Sequence, residues 1–174
     1  MKPEKLSDIK KELMTLDSKQ LSEICLRMAK YKKENKEFLN YLLYNADDPM
    51  GYAESLKQNL QIDFITLQKH YYYSLKTLRK ILRLMNRHIK FTGSKQVEVE
   101  MLLWFSKNFL IYADTRSSHK PLTALFIRQL EKISKLLAKL HEDLQFDYRR
   151  EFEEIIDDAD NKVRNFYKKQ FDHL

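Results

Sequence analysis

Two groups of side chains in this sequence have the types and spacing to do chemistry. The first is a ladder of cations, Lys76, Arg79, Lys80, Arg83, Arg87 and Lys90. At about 100° per residue they fall within about ±60° of a common direction, on the side of a helix opposite its apolar residues. Cations aligned in this way can track a run of phosphates or carboxylates, and no acidic residue interrupts positions 64–97. Tyr72 projects close to the same direction and offers a ring on which a base could stack. The second group is His141, Glu142, Asp143, Asp147 and Glu151, the densest set of groups able to ligate a metal or move a proton. Acidic residues at a helix start also favour its positive N-terminal end, so a polar helix terminus accounts for most of this set without chemistry. An enzyme or metal site centred on His141, Asp143 and Asp147 is therefore the third reading in order of preference.

What is missing narrows the chemistry further. The chain has only two glycines, Gly51 and Gly93, and three prolines, Pro3, Pro49 and Pro121. Phosphate-cradling loops and nucleophile elbows need glycine backbone geometry, so nucleoside-triphosphatase and serine-hydrolase readings fail. Helical di-iron sites need Glu-x-x-His pairs. The residues three before His70, His88, His119, His141 and His173 are Leu67, Met85, Arg116, Ala138 and Gln170. No two histidines lie three or four apart, which removes a zinc-protease motif on one helical face. One cysteine, Cys25, excludes an internal disulfide framework, and its neighbours Leu21, Ile24 and Met28 mark it as a small buried apolar residue. No catalytic residue, metal or cofactor is assigned, and the chain reads as non-enzymatic.

The elements that would carry these groups are helices. Scarce glycine and proline, with abundant Leu, Lys and Glu, favour few and long ones. Ser7 is positioned to cap a short first helix, and Asp17 with Gln20 has capping-box spacing for a second. Leu21, Ile24, Cys25 and Met28 keep helical spacing, which resumes at Phe38, Leu39, Leu42 and Leu43 after a kink or break in the polar stretch 32–36. Residues 45–49 break the chain, and Pro49 suits the first turn of the next element. The long segment at about 63–91 aligns Leu67, Tyr71, Leu75, Leu78, Leu82, Met85 and Ile89 on one face and ends at Gly93. Of the run Tyr71, Tyr72, Tyr73, one residue is expected in the core and two beside it. Residues 95–113 are apolar around most of the circumference, as a central helix requires. Pro121 opens a helix whose Phe126, Leu130, Ile133, Leu137, Leu140 and Leu144 alternate by four and three, and a last helix over about 148–171 turns Phe152, Ile155, Ile156, Ala159, Val163 and Phe166 inward.

The net charge of +7 is unevenly spread: +1 over 1–48, +7 over 49–97, +3 over 98–141 and −4 over 142–174. Glu151, Glu154, Asp157 and Asp158 make the polar side of the last helix acidic. Three arrangements satisfy the two faces: the acidic helix covers the basic ladder within the molecule, the faces meet across a two-fold axis, or the ladder meets a nucleic acid. Exposed ion pairs contribute only about 0–1 kcal/mol each, so the first would select helix order more than it would stabilise. The opening residues lack the apolar core of a signal peptide, no apolar run approaches the roughly 20 residues of a membrane span, and a cytoplasmic location is expected.

The run Leu6-Ser-Asp-Ile-Lys-Lys-Glu-Leu-Met-Thr-Leu-Asp-Ser-Lys-Gln-Leu21, followed by Lys32-Lys-Glu-Asn-Lys-Glu-Phe-Leu39, resembles the opening of an uncharacterised family of bacterial helical proteins, a domain of unknown function. Ile155-Ile-Asp-Asp-Ala-Asp160 is similar to that family's C-terminal helix, with Asn161, Lys162 and Val163 where a glycine-containing stretch is expected. The resemblance implies a cytoplasmic helical protein and carries over no catalytic residues. The opening helix pair is also faintly similar to helix-extended-helix DNA-binding modules, but residues 15–18 lack the usual glycine and 1–48 are nearly neutral. The expected fold is all-α: a single-domain bundle of six to seven helices, with an N-terminal subregion 1–46, a main bundle 49–174, a central helix near 95–113 and a C-terminal antiparallel pair. The leading functional reading is an interaction protein that binds a protein partner or a second copy. The alternative is a nucleic-acid-binding protein using the ladder, with no membrane partner.

Overall fold

The structure, a computed structural model, describes residues 2–171, and over these the chain is all-helical. Eight α-helices occur among the described residues: α1 Leu6–Leu13, α2 Ser18–Tyr31, α3 Lys33–Tyr44, α4 Pro49–Ile65, α5 Tyr71–Thr92, α6 Lys95–Tyr112, α7 Lys120–Leu137 and α8 Glu142–Lys162, followed by a 3₁₀ turn, Lys168–Phe171. They divide into two compact units, Met1–Asp47 and Asp48–Leu174.

In the N-terminal unit α2 and α3 pack against each other. The capping box forms: Asp17 accepts from the Gln20 backbone N–H at 2.8 Å, and Gln20 accepts from that of Asp17 at 3.0 Å. The break expected over 32–36 is confined to Lys32, whose extended backbone (φ −142°, ψ 143°) ends α2 and opens α3. Two sequence expectations are corrected. Ser7 lies inside α1, where Lys5 occupies the N-cap position, and its hydroxyl turns to the Asp8 carboxylate at 3.5 Å. Cys25 is exposed, because no residue of α2 is buried in this small unit.

In the C-terminal unit α6 is the central helix, packed on α4, α5, α7 and α8. Ten of its residues are buried, among them Met101, Leu102, Leu103, Phe105 and Phe109, so it must be apolar on every side. Phe109 stacks on Phe126 of α7 at 4.5 Å with the rings 12° from parallel. Four of its polar side chains reach three different neighbouring helices. Glu98 pairs with Lys132 of α7 at 2.6 Å, Glu100 with Lys57 of α4 at 2.6 Å, and Lys107 with Glu151 of α8 at 2.9 Å. Asn108 accepts a hydrogen bond from Gln61 of α4 at 2.9 Å. Because each pairing suits one neighbour and mismatches the others, this set selects helix order around a core that hydrophobic burial alone would leave less specific.

The expected segment 63–91 is two elements. α4 runs to Ile65, Leu67 falls in the connection, and α5 begins at Tyr71. The apolar residues of α4 lie both inward (Ala53, Leu60, Phe64) and outward (Ile62, Ile65), which blurs the helical period and hides the element in the sequence. Asp48 caps α4 at the Gly51 N–H (2.8 Å) with Pro49 in the first turn. Gly93 ends α5 in the left-handed region (φ 62°), and Ser94 caps α6 by accepting from the Val97 N–H at 3.3 Å. Such a backbone favours glycine and allows a two-residue link between long helices. α7 ends at Leu137, so Leu140 lies in the turn and Leu144 in α8. α8 ends at Lys162, leaving Val163 and Phe166 buried in the segment beyond it. Asn165 adopts a positive φ of 59° there, and the chain turns back to stack Phe166 on Phe171 at 5.8 Å. Among the described residues no helix is long and apolar enough to cross a membrane.

Candidate functional site

α5 buries Leu75, Leu78, Ile81, Leu82, Met85 and Ile89 against α4, α6 and α7. Helical periodicity therefore sends the residues opposite them to solvent. Lys76, Arg79, Lys80, Arg83 and Lys90 are exposed, whereas Arg87, between Arg83 and Lys90 along the same helix, is half-buried. Lys80 is tied to Asp63 at the end of α4 at 3.0 Å. Among the described residues Lys76, Arg79, Arg83 and Lys90 have no carboxylate within ion-pair distance. The acidic helix α8 packs elsewhere, on α6, α7 and the 3₁₀ turn. Its carboxylates pair with Lys107 (Glu151), Lys162 (Asp158) and Lys168 (Asp157). Among the described residues, internal pairing of these four cations with α8 is thus absent.

The cations belong to a wider surface than one helix. Tyr72, Tyr73, Lys76, Arg79, Lys80 and Arg83 line an open groove of about 770 Å³. Arg79 also lines a second cleft, of about 480 Å³, with Lys120 and Arg128 of α7. Lys90 lies with Lys95 and Lys132 in a third cleft where α5, α6 and α7 converge. Sequence periodicity finds the ladder because its members share one helix. It misses Lys120, Arg128 and Lys95, since nothing in a helical period reports which neighbouring helix sits beside which.

The tyrosine run is also corrected. Tyr71, Tyr72 and Tyr73 are all exposed, and the first buried residues of α5 are Ser74 and Leu75. Among the described residues no helix packs over this first turn to enclose three rings. They make an aromatic cluster at the surface instead. His70 stacks on Tyr71 at 4.7 Å, Tyr71 meets His119 at 4.2 Å, and Tyr72 meets Tyr73 edge-on at 5.3 Å. His119 comes from the connection before α7, far along the chain, so no sequence pattern links it to the tyrosines.

At the other candidate site, His141 Nδ1 lies 3.2 Å from Asp143 with the two side chains 76% and 88% exposed. His141 precedes α8, while Glu142 and Asp143 occupy the helix's first turn, the position that complements its positive end. Asp147 is exposed one turn further on. Among the described residues no three His, Cys, Asp or Glu side chains converge where an ion could bind. A geometry with two exposed donors and nothing to exclude water offers little to a catalytic step.

Two titratable groups at the central helix are shifted. Burial pulls the Lys57 ammonium down, but hydrogen bonds and charge attraction from Glu100 and Glu54 outweigh it, and the net shift is upward. Burial pushes the Tyr148 hydroxyl up; a hydrogen bond from Gln96 opposes this, and the Glu100 carboxylate adds to it. Both belong to the scaffold. Comparison of the chain with protein-family models, with curated proteins and with solved structures gives no significant match.

Proposed function

We propose that this chain is a non-enzymatic, cytoplasmic interaction protein whose C-terminal unit binds an anionic macromolecule through the exposed face of α5, in keeping with its resemblance to an uncharacterised family of bacterial helical proteins. One observation carries the reading: Lys76, Arg79, Arg83 and Lys90 face solvent without a carboxylate partner among the described residues, whereas Lys57, Lys107 and Lys132 in the same unit are engaged in ion pairs between helices. Leaving like charges together along one helix costs stability through mutual repulsion, which an anionic partner would remove. Binding would be mainly electrostatic and would weaken with salt. The test is retention on an immobilised polyanion, heparin, over a salt gradient. Wild type should elute at clearly higher salt than Arg79→Glu/Arg83→Glu, and equal elution would remove the reading.

A second reading, self-association, is favoured by a different feature. Leu6, Met14, Leu26, Met28, Leu43 and Tyr44 of the N-terminal unit are exposed, and neither α1 nor α2 buries any residue. Apolar side chains concentrated on so small a unit are the composition of a surface that closes on a second copy. Light scattering across a concentration series measures it: Leu26→Glu/Met28→Glu should yield monomers where the wild type yields dimers.

A further inference from the structure

We infer that the anionic partner is a single-stranded nucleic acid, its phosphates running along Lys76, Arg79, Lys80 and Arg83 and its bases stacking on Tyr72 and Tyr73. This rests on the reading of α5 as an anion-binding face and adds the chemical class of the ligand. Cations alone would serve an acidic protein, a duplex or a single strand. What separates them is the content of the groove. Its roughly 770 Å³ is lined at one end by two tyrosine rings, 60% and 49% exposed, and at the other by four basic side chains.

Large aromatic rings left in water at one end of a basic track are the arrangement that binds unpaired bases, because every base presents a π face whatever its sequence. A duplex keeps those faces stacked inside and presents only edges and phosphates, so it could engage the cations but not the rings. An acidic peptide would likewise use the cations and leave the rings wet.

The spacing agrees. The cations recur at Lys76, Arg79 with Lys80, and Arg83, one helical turn or about 5.4 Å per step. That is longer than the roughly 3.4 Å between successive phosphates along the axis of a stacked strand, and suits one drawn out as its bases unstack. From Tyr72 to Arg83 the track is about 16 Å long, enough for three or four nucleotides. The edge-on contact between Tyr72 and Tyr73 holds the two rings near a right angle (83°) and covers one face of one ring, so a base stacks on a ring face that this contact leaves open.

The test is a fluorescence-anisotropy titration of the full chain with a labelled oligothymidylate, a labelled duplex of equal length and labelled poly-glutamate, from about 50 to 200 mM salt. The single strand should bind more tightly than the other two, with log K falling against log salt at a slope of about −2 for the three cations of the groove without a carboxylate partner, Lys76, Arg79 and Arg83. Tyr72→Ala/Tyr73→Ala should weaken the single strand by about 10- to 100-fold and leave the salt slope and the duplex affinity unchanged. Tyr72→Phe/Tyr73→Phe should bind like the wild type, since the ring and not the hydroxyl is used. Helix content by circular dichroism checks each variant; should the double alanine variant lose helix, Tyr72→Ala alone carries the same comparison. If poly-glutamate or the duplex binds as tightly as the single strand, or the alanine variant keeps full affinity, the single-strand assignment is wrong while the anion-binding face stands. If none of the three probes binds at the lowest salt, both fall.

Discussion

α5 and α6 are consecutive helices of similar length joined through Gly93 and Ser94, yet they use charge in opposite ways. On α6, Glu98, Glu100 and Lys107 each reach a partner on a different helix, and most of the remaining circumference is buried. On α5 half the circumference is buried and the other half carries cations, of which, among the described residues that are exposed, only Lys80 has an ion pair to a neighbouring helix. Charge on α6 specifies where other helices go. Lys76, Arg79, Arg83 and Lys90 on α5 have no such pairing among the described residues, which is why the exposed face of the helix is the surface to test for a ligand.

Four variants and one pH series probe that contrast. The largest effect belongs to the buried side of α6. Phe105→Ala removes a fully buried ring and should cost about 3–5 kcal/mol in urea unfolding. Next is the Lys57–Glu100 pair, whose side chains are only 13% and 23% exposed. Glu100→Ala leaves the lysine with Glu54 alone, and a loss of about 1–3 kcal/mol is expected.

The pH dependence of the fold should follow the same residues. Lys57 and Tyr148 both hold their protons more tightly in the folded chain than in the unfolded one. Their contribution is therefore complete below the unfolded pKa values, about 10, and is lost as pH rises through the higher folded ones. Thermal melts should show stability falling above about pH 10, and Glu100→Gln should make that fall smaller, because the carboxylate that raises the folded pKa of both Lys57 and Tyr148 is then gone.

The junction between the two helices comes third. Gly93→Ala meets no neighbouring atom within 4 Å, so its cost is confined to the positive φ and should be about 1 kcal/mol. The smallest effect on stability is expected on α5 itself. Arg79→Glu/Arg83→Glu alters exposed residues outside the ion pairs between helices and should shift the unfolding free energy by less than about 0.5 kcal/mol.

Much of this contrast is legible in the sequence. The apolar circumference of α6 and the segregated faces of α5 follow from helical period, and Asp17 with Gln20 and Gly93 mark helix ends by local chemistry that needs no tertiary context. Elements that defy the period are not legible in this way. α4 spreads its apolar residues around the helix and merges with α5. Sequence neighbours suggest burial for Cys25 and a cap for Ser7, but the N-terminal unit is too small to bury the one, and Lys5 takes the cap position of the other. At the site the ladder is visible because it lies on one helix. His119, Lys120 and Arg128 join it through the packing of α7 against α5, and the exposure of Tyr71, Tyr72 and Tyr73 depends on how far neighbouring helices reach over the first turn of α5.

The central claim is that the exposed cations of α5 without a carboxylate partner serve a ligand and not the fold, and one paired measurement addresses it: melting temperature and oligothymidylate affinity, taken side by side for the wild type and Arg79→Glu/Arg83→Glu. An unchanged melting temperature with binding abolished is the predicted result. A melting temperature that falls by several degrees, or an affinity that survives the charge reversal, would contradict it.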